Sequence, residues 1–293
     1  MDNKFFSTLK VRASQMHRIM SYLDKGNSLT ETQMKGIVTY AHELASEKFW
    51  GFRPDVTVDT MEKGIIGQSA AVTLYNLYLN SKSGKKRIFK ENKERLTNDY
   101  FTGEPDFFVG TRERKCTEGF DTKCSKDILT FPKYKVDLDD VYYWQNMTYI
   151  DLFGADRWTT VYCLVNTPYY QLLKMKENLY YKMGCPDESS ENFQRYQEKI
   201  ILLEKNNIFD IDLFRRENPN VDLENLDWSG LKSPADRIKE FVVERNDKEI
   251  ELMKNRVILL RHYMITNFGN NYSLNQEGID HEFADLRTTK FES

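Results

Sequence analysis

Asp121 and Lys123 stand two residues apart in Phe120-Asp-Thr-Lys-Cys124, a segment of strand-forming composition. On a strand, side chains at i and i+2 share a face, so the acid and the amine emerge together, roughly 7 Å apart. A second carboxylate, Asp106, opens the apolar run Phe107-Phe-Val-Gly-Thr111. Charges set among apolar residues are costly to bury unless they bind each other or a ligand. A hard divalent cation prefers carboxylate oxygens and leaves positions for water and phosphate. Asp106 and Asp121 are thus candidate ligands for Mg2+ or Mn2+, with the backbone carbonyl of Thr122 as a further one. Such a cation activates water toward a phosphate ester. Lys123 would orient that water or stabilise charge developing on the phosphate. The plainer alternative makes Asp106 a turn cap and Asp121 and Lys123 a salt pair on a solvated face.

The elements that must position these residues are readable in outline. Phe107–Thr111 lies in a short buried strand expected over 105–111. A turn over 112–119 follows, and a second strand at 120–124 closes an antiparallel hairpin. Thr30-Glu-Thr-Gln33 has capping-box spacing, so a helix is expected from Glu31 to about Phe49. A second helix should run from about Met61 through Gln68 to Leu79, with Ile65, Ala70, Val72, Leu74 and Leu77 as its apolar positions. The lysine-rich segment 81–93 reads as a connector with a short strand at 87–89. Leu138–Phe153 reads as a helix with Val141, Trp144, Thr148 and Leu152 along one side and Gly154 at its end. Trp158–Val165 is β-branched and aromatic, as in a buried strand. Thr167-Pro168 has the signature of a new helix start. Another helix is expected over 189–206, an irregular insertion over 210–232, a late strand over 239–244, and an amphipathic helix from Asp247 to Phe268. The last residues are polar.

The chain is large enough for one α/β core: 293 residues, 40% hydrophobic and 13% aromatic. Its net charge of −3 argues against non-specific coating of duplex DNA, which calls for a strongly basic protein. Any nucleic-acid contact should be confined to a local basic channel. No signal-peptide or membrane-spanning run is present, which reads as a cytoplasmic protein without membrane association. The four cysteines form no CxxC pair, and the four histidines are scattered, so neither zinc nor an iron–sulfur cluster is expected.

Together, Gly103-Glu-Pro-Asp106 and Asp121-Thr-Lys123 resemble the G-x-PD … (D/E)-x-K signature of the PD-(D/E)XK nuclease superfamily. Gln145-Asn-Met-Thr-Tyr149 is similar to the Q-xxx-Y motif of its RecB-like and phage-exonuclease branches, and residues four apart share a helix face. The resemblance covers about 60–170. It extends loosely to 238–268, which is similar to the closing segment of YqaJ-like phage exonucleases. It implies a restriction-endonuclease-like α/β fold, a mixed central sheet flanked by helices with helical N- and C-terminal additions. The domain would span 1–270: a helical part at 1–60, a catalytic core at 61–170 and a closing segment at 171–270, with a polar tail at 271–293.

The resemblance also implies roles. The chain would be a Mg2+- or Mn2+-dependent deoxyribonuclease, an exonuclease of phage type serving recombination or replication. Gln145 and Tyr149 would support the metal site or contact DNA, and Arg12-Ala-Ser14 would meet a phosphate. Lys90 and Lys93, beside Lys85-Lys86-Arg87, would line the DNA entrance or form a solvated loop. Tyr142, Tyr143 and Trp144 offer faces for a base or belong to the core. Beyond DNA, the implied partners are a single-strand annealing or recombination protein and further copies of the chain.

One position departs from the pattern. Exonuclease-like members carry a glutamate a few residues after a Lys-Gly pair; here the pair is Lys63-Gly64 and the matching residue is Gln68. Gln68 would be a weak, uncharged ligand. A natural variant, a role for Glu62 in its place, and an inactivating substitution all account for it. Two other readings stand beside the exonuclease: a catalytically impaired DNA-binding protein of this fold, and a sequence-specific endonuclease.

Overall fold

A computed structural model describes residues 3–20, 31–51, 59–83, 90–111, 114–221 and 233–269. In chain order the helices are α1 (Asn3–Ser7), α2 (His17–Met20), α3 (Glu31–Trp50), α4 (Asp59–Ser83), α5 (Asp140–Phe153), α6 (Tyr169–Lys182), α7 (Phe193–Lys205), α8 (Ile211–Glu217) and α9 (Asp247–Phe268). The strands are β1 (Val11–Arg12), β2 (Lys90–Glu91), β3 (Leu96–Thr97), β4 (Phe101–Gly103), β5 (Phe107–Thr111), β6 (Arg114–Cys124), β7 (Arg157–Cys163) and β8 (Ile238–Glu244). They form a five-stranded sheet in the order β2-β5-β6-β7-β8 and a three-stranded sheet β1-β4-β3. The larger sheet is mixed: β5 and β6 are antiparallel, β6 and β7 parallel with α5 as the crossover, and β7 and β8 antiparallel. The fold is α/β, a mixed sheet flanked by helices.

Period-two alternation on β6 divides the core. Phe120 faces α4 and packs with Phe107, Ala71, Leu74 and Tyr75. The opposite face of the sheet, with Phe108, Trp158 and Val243, meets α5, α9 and the N-terminal helices. A smaller apolar cluster of Leu172, Ile208 and Phe214 joins α6 and α8 to the intervening loop.

Several expectations change. The segment expected as a turn at 112–119 is largely strand, because β6 starts at Arg114 and pairs with β5 back to Thr111. Ile65 and Leu77 on α4 are exposed, and Ala71 and Tyr75 take the buried positions. Helix α5 is buried all round from Trp144 to Ile150, not along one side, because the sheet and the N-terminal layer enclose it. Helix α6 begins at Tyr169 with Pro168 as its N-cap, while the Thr167 hydroxyl donates to Asn207 Oδ1 at 2.9 Å. Part of the expected insertion is helix α8, whose Asp210 cap accepts from the Leu213 amide at 3.0 Å. The strand expected at 87–89 and the polar C-terminal segment lie outside the described residues. The hairpin, the Gly154 left-handed cap at φ 61°, and α9 over Asp247–Phe268 match expectation. Among the described residues no helix is long and apolar enough to cross a membrane.

Candidate active site

The register that opposes Phe107 to Phe120 continues by one step and sets Asp106 beside Asp121. The Asp106 amide donates to Asp121 Oδ1 at 3.2 Å. The Asp106 carboxylate turns toward the next residue of β6, where its Oδ2 accepts from the Thr122 amide at 2.9 Å and the Thr122 hydroxyl at 3.0 Å. Its Oδ1 accepts from Gln68 Nε2 at 2.9 Å. Asp121 is buried, and its Oδ2 accepts from Lys123 at 2.8 Å and from Gln145 Nε2 at 3.2 Å. Gln145 also donates to the Tyr149 hydroxyl at 2.9 Å, which reaches the Glu104 carbonyl at 3.5 Å. Seven residues singled out from the sequence, Gln68, Asp106, Asp121, Thr122, Lys123, Gln145 and Tyr149, therefore form one connected network.

Two close approaches make this possible. Gly67 lets α4 settle on β6, since a Cβ there would stand 3.0 Å from Cys124 Sγ and from Val165 Cγ2. Gly103 makes room for Tyr149, since its Cβ would fall 2.7 Å from the ring.

Electrostatics follow from burial and crowding. Burial, and then the charge of Asp121, push the Asp106 carboxyl up to about 6, against the hydrogen bonds of Thr122 and the charge of Lys123. For Lys123, burial lowers the pKa, but the charge and hydrogen bond of Asp121 more than offset it and leave the ammonium above its ordinary value. Its Nζ also lies 4.9 Å from the centre of the Tyr142 ring. Burial raises the Tyr149 hydroxyl well above the usual range, so it stays a neutral donor.

Asp106 and Asp121 could hold one hard cation between them. The charge of Asp121 disfavours ionisation of Asp106, and a cation between the two carboxylates would relieve that. The Thr122 carbonyl and the Gln68 amide oxygen, after an amide flip, could complete the protein's share. Among the described residues no group of three or more His, Cys, Asp or Glu side chains is arranged for a metal.

The remaining candidates lie elsewhere. Glu62, the alternative to Gln68, accepts instead from Gln171 of α6 at 3.1 Å. Lys93 is exposed on the chain leaving β2; Lys90 lies in β2, with its side chain outside the description. Ser14 is exposed on the turn Ala13–Gln15 beside β4 and makes no contact with either carboxylate. Of the three aromatics, Tyr143 bonds to Glu249 and Trp144 is buried in the core. Only Tyr142 lies against Lys123.

Sequence reasoning missed Asn92 and undervalued Lys63. The Asn92 amide donates to the Asp106 carbonyl at 2.9 Å, and its side chain to the Pro105 carbonyl at 3.0 Å, so it holds the turn that aims Asp106. An asparagine in a polar connector carries no local signal of that role. Lys63 is buried and donates to the Lys126 carbonyl at 2.7 Å, tying α4 to the chain beyond β6; burial lowers its pKa to about 8. The Lys63-Gly64 pair was the available signal.

No protein-family model matches the sequence. No curated protein matches it either. Solved structures do. A phage-related exonuclease from Haemophilus somnus aligns with TM-score 0.58 and 22% identity over 92% of this chain and 99% of that one. An alkaline exonuclease from Laribacter hongkongensis aligns with TM-score 0.49 and 14% identity over 98% of this chain and all of that one. At such identities the likeness concerns the fold: this chain has a fold similar to that of the phage-related exonuclease.

Proposed function

We propose that the chain is a divalent-cation-dependent deoxyribonuclease, acting from DNA ends as an exonuclease, with its chemistry in one domain over 1–270. The observation that carries this reading is the convergence of Asp106, Asp121 and Lys123 at the β5–β6 junction, with Gln68 and Gln145 closing on them from helices on opposite faces. The fold shared with a phage-related exonuclease supports it.

Mg2+ or Mn2+ held by Asp106, Asp121, the Thr122 carbonyl and Gln68 would polarise the phosphodiester and favour ionisation of water. Lys123 stays protonated across the neutral range, so it acts as a donor and positive charge toward the phosphate or the attacking water, not as a base. Gln145 and Tyr149 hold the Asp121 carboxylate in orientation. Asn92 and Thr122 do the same for Asp106. Tyr142, beside Lys123, offers a face on which a base next to the scissile bond can stack.

A second reading has its own observation. The position that faces Asp106 from α4 is an uncharged amide, which weakens cation binding and favours a DNA-binding protein of low activity. Degradation of end-labelled linear duplex with Mn2+ separates the two. On the nuclease reading the chain shortens linear but not closed circular DNA, Asp121→Ala abolishes this, and Gln68→Glu accelerates it. Should no variant cut, including Gln68→Glu, the binding reading replaces it; cutting of the circle at discrete sites would point to a sequence-specific endonuclease.

A further inference from the structure

The far side of the sheet carries a second feature that this chemistry does not use. Strand β8 lies at the end of the five-stranded sheet, and among the described residues no strand pairs with its outer edge. The bonds from the Arg245 amide to Asp156 O and from the Leu164 amide to Arg237 O set the hydrogen-bonded pairs with β7 at odd-numbered positions of β8. In an antiparallel ladder the alternate residues then direct their peptide groups outward, here those of Glu240 and Val242. Both residues line an open groove of about 620 Å³, and none of the candidate catalytic residues does.

The groove has a floor, a wall and a charge. Phe241 and Val243 form the floor, and Val136, Leu138 and Trp144 contribute to the wall. Val136 is 84% exposed and Val242 54% exposed, so apolar surface is open at both margins. Asp137 and Asp140 stand on the rim, while the Glu240 carboxylate is turned away to Tyr75 and Tyr78. Proline, bulges and inward charges commonly blunt an exposed strand edge. Strand β8 contains no proline, and its pairing with β7 runs without a register shift. Of its charges, Glu240 is held by Tyr75 and Tyr78, and the Lys239 ammonium lies 5.0 Å from the Phe241 ring centre, where an incoming side chain must displace it.

We propose that this groove receives an extended segment of a partner protein, added to the sheet as a strand beside β8, in which apolar side chains alternate with lysine or arginine. Backbone pairing with Glu240 and Val242 gives the register, the apolar floor takes alternate side chains, and Asp137 and Asp140 select positive charge. The same rim repels a nucleic-acid phosphate. It also disfavours a second copy of this chain pairing edge to edge, which would bring two acidic rims together.

The test uses the full chain and two capped nonapeptides: one alternating valine with lysine, and one with the central valines replaced by proline, which cannot donate to a ladder. Calorimetry should find the first peptide binding at least tenfold more tightly than the second. Hydrogen exchange should show the Glu240 and Val242 amides protected by it. Val242→Pro, which removes an outward-facing N–H, should weaken binding at least tenfold, and Asp137→Lys with Asp140→Lys should weaken it and flatten its salt dependence. If Val242→Pro fails to fold by circular dichroism, Val136→Lys on the loop wall serves instead and should also lower affinity. Equal affinity for both peptides, or no change in amide protection, overturns strand addition. Wild-type dimers in sedimentation that Val242→Pro dissolves would assign the edge to a second copy and overturn the partner assignment.

Discussion

Helix α4 presses on β6 and helix α5 on β7 and β4, each near a glycine that permits a close approach, yet they treat the site in opposite ways. Helix α5 is enclosed from Trp144 to Ile150, and its Gln145 and Tyr149 are buried members of a hydrogen-bonded chain running from Glu104 to Asp121. Helix α4 meets the site through one amide, Gln68, and the turn just before it is open to solvent, with Ile65 and Ile66 exposed. A buried, fully partnered network holds its geometry because each member loses a bond that water cannot replace. A partly exposed contact can rearrange at little cost. The α5 side is therefore the rigid mount of Asp121, and on the proposed nuclease reading the α4 side is where cation affinity would be set.

The sharpest way to break the site lies between the two helices. Lys123→Ala removes the one ammonium bonded to Asp121 and should lower kcat about 10²- to 10³-fold with little change in DNA affinity. Kinetics on a linear duplex at saturating Mn2+ would show it. Next comes the contrast between the helices. Tyr149→Phe strands a buried amide and should cost about 1–3 kcal/mol in denaturant unfolding, with metal affinity falling about 10- to 100-fold. Gln68→Ala should leave stability within about 0.5 kcal/mol. Equal losses on the two sides would end the distinction between mount and adjustable contact.

A pH experiment sharpens the comparison further. The Asp106 carboxyl is raised to about 6 from an ordinary 3.8, so between those values the folded chain holds more protons than the unfolded one. Ionising Asp106 then opposes folding as pH rises, and that penalty is fully present above about pH 6. Asp106→Asn should stabilise the metal-free protein by about 1–3 kcal/mol at pH 8 and by about 0.5 kcal/mol or less at pH 4. Thermal unfolding at both pH values, in chelator, measures this. The last contrast concerns the two glycines. Gly103→Ala drives a methyl into the buried Tyr149 ring and should cost about 1–3 kcal/mol. Gly67→Ala meets a cysteine thiol and a valine methyl at 3.0 Å, which can give by a few tenths of an ångström, and should cost about 1 kcal/mol or less.

Much of the site was legible because its residues are local pairs on regular elements. Asp121 and Lys123 share a strand face by period two, and Gln145 and Tyr149 share a helix face by their spacing of four. Helix α9 was legible for the same reason, with apolar residues at helical spacing; its Asn246 cap came with the structure. Asn92 was not, because its role is a bond to a turn that lies distant in sequence. Nor was the depth of α5: Gln145 and Asn146 look like surface residues until two layers close over them.

Amino-acid order alone determined the β5–β6 hairpin, the common face of Asp121 and Lys123, and the register of Gln145 with Tyr149, because these depend on backbone periodicity and short-range pairing. Tertiary structure decided which residue of α4 meets Asp106. Glu62 and Gln68 are six positions apart, about 240° around a helix at 100° per residue, so they cannot serve one site together. The packing of α4 on Cys124 through Gly67 turned Gln68 inward and left Glu62 to Gln171. A choice between two faces of one helix rests on the shape of the sheet beneath it, and that shape is built from residues far along the chain.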